Sequence, residues 1–338
     1  MKAPAFWFRP RKRPGLKARL LTPLGALYAR AIRQRLAQGE GWRAPVPVIC
    51  VGNINAGGTG KTPTVLAVIS RLHARNKEPV ILSRGHGGAL GGPVEVDPRN
   101  HTAADVGDEP LLAAAFGPTW ISRDRAAGAR ALLAAAQEED SDEVDCIVMD
   151  DGLQNPDLIK DISIVVVDAV KGFGNGRCIP AGPLREPVKA GMARADLLLS
   201  IGPQSAQERF VAEWGSDITV PHLRGQLEPL KTGMEWKGAK LLAFAGIGHP
   251  GKFFATLRSL GATLARCEAL EDHQPLSPAL MTRLEHEASV LGAQLVTTEK
   301  DAVRLPPDFR RKVLTLPVRL IVEDWGPFDA ALARVGLD

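Results

Sequence analysis

A lysine that follows a run of glycines and precedes a hydroxyl residue can grip phosphate. Residues 55–62 read Asn55-Ala56-Gly57-Gly58-Thr59-Gly60-Lys61-Thr62, after an apolar run that ends at Gly52. The spacing is that of GxxxxGK[ST], with Asn55 in place of the first glycine. Glycines let backbone N–H groups wrap phosphate oxygens, and the helix start behind them adds a positive field. Lys61 would neutralise the β- and γ-phosphates of ATP, and Thr62 would place its hydroxyl on Mg²⁺. Asn55 tolerates a left-handed backbone better than most residues, so the substitution is compatible with the turn.

A second element of such a site is an acid at the end of a buried strand. Cys146-Ile147-Val148-Met149-Asp150-Asp151 supplies two, followed by Gly152. Asp150 or Asp151 would hold hydrated Mg²⁺. Two further stretches are dense in glycine, proline and charge, Gly172–Arg177 and Pro180–Pro187. They follow a predicted strand, where ligands approach a parallel sheet. Asp108 in Gly107-Asp108-Glu109-Pro110 reads either as a helix N-cap or as a base. Thr298 with Asp301 reads as a capping box.

These residues need a frame. Val46–Val51, Val80–Leu82, Cys146–Met149, Ile162–Val167 and Leu197–Ile201 are short apolar runs, and predicted helices at 61–75, 109–116 and 124–137 lie between them. Near-continuous apolar strands alternating with helices imply an α/β fold with a mostly parallel sheet covered on both faces. Residues 215–240 read as a linker. Strands at 241–245, 264–267, 294–297 and 313–316, with helices near 250–260 and 277–291, imply a smaller C-terminal α/β lobe. The expected organisation is a segment 1–42, a P-loop core 43–214, a linker 215–240 and a lobe 241–338.

Charge singles out the first segment. The first fifty residues hold eleven basic side chains and one acid, +10 in a chain of net +4, leaving −6 for the rest. Thr22-Pro23 reads as a helix start. Leu20, Leu24, Leu27, Tyr28, Ala31 and Ile32 recur at helical steps, with Arg30, Arg33 and Arg35 beside them and Phe6, Trp7 and Phe8 ahead. That pattern fits either a helix lying in an anionic membrane interface or one packed on its own domain; a nucleic-acid arm is disfavoured. No run is long enough to span a bilayer, and no signal peptide is visible. Cys50, Cys146, Cys178 and Cys267 are too scattered for a metal knuckle or a disulfide framework, and fit buried thiols in a reducing compartment.

Taken in order, GNINAGGTGKTP (52–63), SRGHGG (83–88), VGDEPLL (106–112), DDGLQ (150–154), GFGNGRCIPAGPLREP (172–187), GIGHPGKFF (246–254) and TEKDA (298–302) resemble the tetraacyldisaccharide 4′-kinases. That family belongs to the lipid A pathway of Gram-negative bacteria. The resemblance implies transfer of the ATP γ-phosphoryl group to the 4′-hydroxyl of tetraacyldisaccharide 1-phosphate, at the cytoplasmic face of the inner membrane. It also implies a P-loop core joined to a smaller lobe by a two-stranded linker, and an Asp–His catalytic pair that maps to Asp108 and His273. Asp150 and Asp151 map to the metal acids, and Arg185 and Glu186 to an active-site loop. Leu153 and Asn155 stand where the family pattern DDGFQH has Phe and His. His86 stands for Tyr in SRGYGG, and His249 for Asn in GIGNP. One rival is a partitioning ATPase, which would need a lysine where Ala56 stands. Another is a membrane-tethered P-loop switch that binds ATP without phosphorylating a lipid.

Overall fold

The computed structural model describes residues 3–138, 144–272 and 274–338. The chain begins with α1 (Gly15–Gln38), β1 (Val48–Gly52), α2 (Lys61–His73), β2 (Pro79–Ser83), β3 (Val94–Glu95), α3 (Ala103–Val106), α4 (Asp108–Ala113) and β4 (Thr119–Ile121). It continues through α5 (Arg125–Glu138), β5 (Cys146–Asp150), β6 (Ile162–Asp168), α6 (Val188–Met192), β7 (Leu197–Ile201), α7 (Gln204–Trp214) and β8 (His222–Pro229). A smaller lobe follows, with β9 (Lys240–Ala245), α8 (Pro250–Ser259), β10 (Thr263–Ala269), α9 (Pro278–Leu291), β11 (Gln294–Thr298), α10 (Glu299–Ala302), α11 (Pro307–Arg310) and β12 (Val313–Leu316). The chain ends with β13 (Val318–Val322) and α12 (Gly326–Ala333).

The large sheet has nine strands in the order β13-β8-β7-β6-β1-β5-β2-β4-β3. Its pairs are parallel except β13–β8 and β3–β4 at the two edges. The smaller lobe holds a parallel four-stranded sheet, β10-β9-β11-β12. Side chains alternate across β1 as a pleated strand requires. Ile49 and Val51 join the core under α2, with Val65, Val68, Ile69 and Leu72. Val48 and Cys50 face the opposite core, with Phe173, Phe210 and Trp214. Both layers are buried and apolar, which is why the strands read as unbroken apolar runs. Central placement of β1 between β5 and β6, both parallel to it, brings the glycine turn and the Asp150 end of β5 to the same carboxyl-terminal end of the sheet.

Three expectations are corrected. The segment 215–240 carries β8, which joins the large sheet beside β7. Its burial alternates only over the first half, so its periodicity is weak. The smaller lobe does not run to the C-terminus: β13 returns to pair with β8, and Phe328, Ala331 and Leu332 of α12 pack into the core beneath α2. The first helix starts at Gly15, so Pro23 lies inside it, and Thr22 is no cap: its hydroxyl donates to the Ala18 carbonyl at 2.8 Å. Tertiary packing of Ala18 and Gly25 outweighs the local proline signal, since a Cβ at Gly25 would lie 2.8 Å from the Cys178 carbonyl. All four cysteines are free, and burial pushes the Cys50 thiol up to about 11 and that of Cys146 to about 12.

Phe328 is fully buried although it lies ten residues from the chain end. Phe328→Ala should destabilise the protein by about 3–5 kcal/mol in denaturant titrations, the usual cost of emptying such a site. A loss below about 1 kcal/mol would mean that α12 does not close the core.

Candidate active site

The glycine turn is held open from beneath. Asn53, fully buried, donates to Thr59 Oγ1 at 2.9 Å and to the Gly57 carbonyl at 3.3 Å, tying the two arms of the loop together. Gly57 and Gly60 have φ of +101° and +99°, where a side chain is strained. A Cβ on Gly57 or Gly58 would meet nothing within 4 Å, so the mouth of the turn is an open cradle. At Gly60 the same atom would come 2.6 Å from Ile201 Cδ1, which presses the turn against the end of β7. Lys61 and Thr62 open α2, so the free amides of that helix face the cradle.

Asn55 has a different reason from the one expected. It is not among the residues of positive φ. Its side-chain amide donates to the Gly172 carbonyl at 3.0 Å, while Ala56 N–H donates to the Pro183 carbonyl at 2.7 Å. Asn55 and Ala56 therefore pin the 172–187 loop to the turn. The same loop receives the N-terminal segment. Trp7 Nε1 donates to the Pro180 carbonyl at 3.0 Å, and Arg177 donates to the Thr22 hydroxyl at 2.7 Å. Trp7 is thus turned toward the protein rather than outward with the helix.

The two acids after β5 sit in unlike surroundings. Asp151, at φ +50°, takes Arg185 Nη1 at 3.0 Å and Lys61 Nζ at 3.7 Å. Burial pushes its carboxyl up, but Lys61 and Arg185 outweigh this and hold it below the usual carboxylate range. Asp150 is buried, and its closest donor is the Ser83 hydroxyl, 3.5 Å from Oδ2. Its Oδ1 is buried with no hydrogen-bond partner among the described residues. Burial and the nearby Glu109 push it from 3.8 to about 7, against the pull of Lys61. An orphaned carboxylate oxygen beside a phosphate cradle fits a divalent cation.

Asp108 is the first residue of α4, whose cap position is Gly107, so it is not the cap. Its Oδ2 lies 3.9 Å from Lys300 Nζ and 3.9 Å from Arg304 Nε, both from the smaller lobe. Glu109 takes Lys300 at 2.8 Å. Burial pushes Glu109 up, while Lys300 and Lys61 hold it down. Glu186 is buried behind the site: it accepts from Gln154 Nε2 at 2.8 Å and pairs with Arg194. Arg185 of the same loop reaches Asp151 and, at 3.2 Å, Gln154 Oε1. Leu153 packs in the core beneath Gly52, and Asn155 binds Asp157 at 2.8 Å. His86 is exposed, and His249 contacts Lys171. His273 lies outside the described residues.

Sequence reasoning passed over Glu109, Lys300, Arg304 and Asn53. Glu109 stood beside the candidate base. Lys300 sat within a stretch read as a cap, and that cap does form: Asp301 N–H donates to Thr298 Oγ1 at 3.1 Å. Only the three-dimensional meeting of the lobes gives Lys300 and Arg304 a place at the site.

A parallel sheet with a glycine turn feeding its first core helix, and acids at the end of the neighbouring strand, defines a P-loop phosphotransferase fold. The family of tetraacyldisaccharide-1-P 4′-kinases matches residues 17–336. The chain belongs to that family. It is 58% identical over 335 residues to the tetraacyldisaccharide 4′-kinase of Jannaschia sp. strain CCS1, covering 99% of each. It is 60% identical to that of Dinoroseobacter shibae, covering 98% of this chain and 97% of the relative. Among solved structures it resembles LpxK from Aquifex aeolicus in complex with ATP. That match has a TM-score of 0.74 and 25% identity, and covers 95% of this chain and 99% of the other.

The raised Asp150 carboxyl has a stability consequence. The folded protein binds this proton more tightly than the unfolded chain. The stabilisation is therefore complete below about 4 and lost as pH rises through about 7. In metal-free protein at pH 8, Asp150→Asn should raise the melting temperature, by about 2–4 °C per kcal/mol of relief. The gain should vanish at low pH. A lower melting temperature at pH 8 would show that the carboxylate is stabilised where it lies.

Proposed function

We propose that this chain transfers the γ-phosphoryl group of ATP to the 4′-hydroxyl of tetraacyldisaccharide 1-phosphate. Family membership supports the acceptor, and the relatives carry that activity in their names. The ATP in the Aquifex aeolicus relative supports the donor. The observation that carries the reading is the open cradle over Gly57 and Gly58, with Lys61 at its back and paired carboxylates in reach.

In this reading the backbone of 55–60 and Lys61 hold the β- and γ-phosphates. Thr62 and Asp150, through its unpartnered Oδ1, would hold Mg²⁺, with Asp151 keeping Lys61 and Arg185 aligned. A bound magnesium ion would neutralise charge on the phosphoryl oxygens. Asp108 accepts the proton of the sugar hydroxyl as its oxygen attacks the γ-phosphorus and ADP leaves. The resemblance pairs His273 with Asp108 in that task. Arg185 orients the acceptor side of the site, and Glu186 braces Gln154.

A glycolipid with four acyl chains leaves a bilayer at a cost of about 0.8 kcal/mol per CH₂, so the enzyme must work at the surface. The first helix suits this. Leu16, Leu20, Leu24 and Leu27 form a stripe 53–71% exposed, opposite the buried Ala18 and Gly25. The expected single apolar face is split: Tyr28 and Ile32 turn partly toward the body. Exposed Lys17, Arg19, Arg30, Arg33 and Arg35 complement anionic inner-membrane lipids. No helix among the described residues is long and apolar enough to cross a membrane. These features support the reading of peripheral attachment at the cytoplasmic face, which the resemblance implies.

Labelled ATP with a lipid A precursor in mixed micelles tests the reaction. We expect the acceptor to be labelled by the wild type and not by Lys61→Ala. Asp108→Ala should lower kcat by about 10²–10⁴-fold while nucleotide binding persists. ATP binding without acceptor labelling would instead favour the switch reading. For the membrane, Leu20→Glu with Leu24→Glu should weaken binding to anionic vesicles by about 10²-fold or more, since each buried leucine is worth about 1.5–3 kcal/mol. Unchanged vesicle binding would remove the helix from the interface.

A further inference from the structure

One short turn of the smaller lobe is tied to four other parts of the molecule. Glu299 of α10 accepts from Val318 N–H at 3.2 Å and from Arg319 at 2.7 Å, which fixes it to β13 of the large sheet. Asp301, fully buried, accepts from Gly246 N–H at 3.1 Å and pairs with Arg304. Arg304 donates in turn to the carbonyls of Gly246 at 3.3 Å and Gln274 at 3.2 Å. Lys300 leaves the same turn in the other direction, to Glu109 at 2.8 Å and Asp108 at 3.9 Å.

The arrangement has an electrostatic reason. Asp108 and Glu109 are adjacent on the first turn of α4, and Asp150 is shifted by Glu109, so like charges crowd the site. Burial alone would lower the Lys300 ammonium, but Glu109 and Asp108 outweigh it and raise it. The cations that answer this crowding come from two sources. Lys61 belongs to the core, whereas Lys300 and Arg304 belong to the smaller lobe. A surface ion pair between lobes would be worth little, but this one is largely enclosed: the Lys300 side chain is 21% exposed and that of Arg304 10%. Moving the smaller lobe by an ångström or two would take both cations off α4.

We infer that Lys300, with Arg304 beside it, is a positioning residue that sets the catalytic carboxylate from the smaller lobe, so that phosphoryl transfer requires this lobe to be seated on α4. The inference rests on the reading of Asp108 as base. Glu109 is the lever, because it takes Lys300 at 2.8 Å and also feels the charge of Lys61. The TEKDA stretch is then both a cap for α10 and the joint through which the lobes meet at the site.

Steady-state kinetics of the full chain with ATP and lipid A precursor in mixed micelles tests this with Lys300→Met, Lys300→Arg and Asp108→Ala. Lys300→Met should lower kcat by about 10²-fold while the KM for ATP stays within about threefold, as expected for a misplaced base. Lys300→Arg keeps the charge and should recover most of that loss. Should Lys300→Met prove unstable, Lys300→Gln, which keeps a hydrogen-bond donor, should show the same kcat loss. Near-normal kcat in the folded Met or Gln variant, with Asp108→Ala inactive, overturns the inference alone. So does a loss carried by the KM for ATP, or an arginine variant no better than methionine. Full turnover by Asp108→Ala overturns the underlying assignment of the base.

Discussion

Lys61 is the one core cation that three site carboxylates answer to. Asp151 lies 3.7 Å from it, and Asp150 and Glu109 both feel its charge. A triphosphate arriving in the cradle brings more negative charge to the same ammonium group. Such a site is tolerable only if other cations take up the displaced acids. Arg185 does so for Asp151, and Lys300 does so for Glu109. Asp150 has the weakest polar support of the three, and its carboxyl alone among them is raised toward neutrality. The donor set around Asp150 is of the kind that suits a phosphate-bound divalent cation.

The fold places these groups by ordinary means. Parallel pairing of β1 with β5 and β6 delivers the glycine turn and the paired acids to the same end of the sheet. The 172–187 loop then links that end to the N-terminal helix. At one end it accepts the Asn55 amide, in its middle it packs on Trp7 and Gly25, and at its far end it places Arg185 on Asp151. The N-terminal helix and the glycine turn are therefore joined through one loop. A long glycine- and proline-rich loop can do this because its backbone carbonyls, not its side chains, are the acceptors.

Much of this was legible in the sequence. The strands that flank the cradle are buried on both faces, so their apolar runs stood out. The spacing of Lys61, Thr62, Asp150 and Asp151 marked them as candidates for one site, and the structure brings Lys61 to 3.7 Å from Asp151. What stayed hidden depends on long-range meetings. Nothing near β8 announces that it extends the large sheet, because half its residues face solvent. Nothing near β13 says that the chain turns back after Leu316. Pro23 argues locally for a helix start, yet packing of Ala18 and Gly25 carries the helix through it. Lys300 forms part of a well-capped turn, and it reaches the site only because a separate lobe brings it 2.8 Å from Glu109.

The central claim is that the glycine turn and Lys61 grip a nucleotide triphosphate in the midst of these acids. The most direct measurement is calorimetric titration of Mg-ATP into the full-length wild type and into Lys61→Ala. The account predicts saturable binding by the wild type and a loss of at least about tenfold in affinity on removing the ammonium, roughly the weight of a charged hydrogen-bond pair. Equal affinity in the two proteins would contradict it.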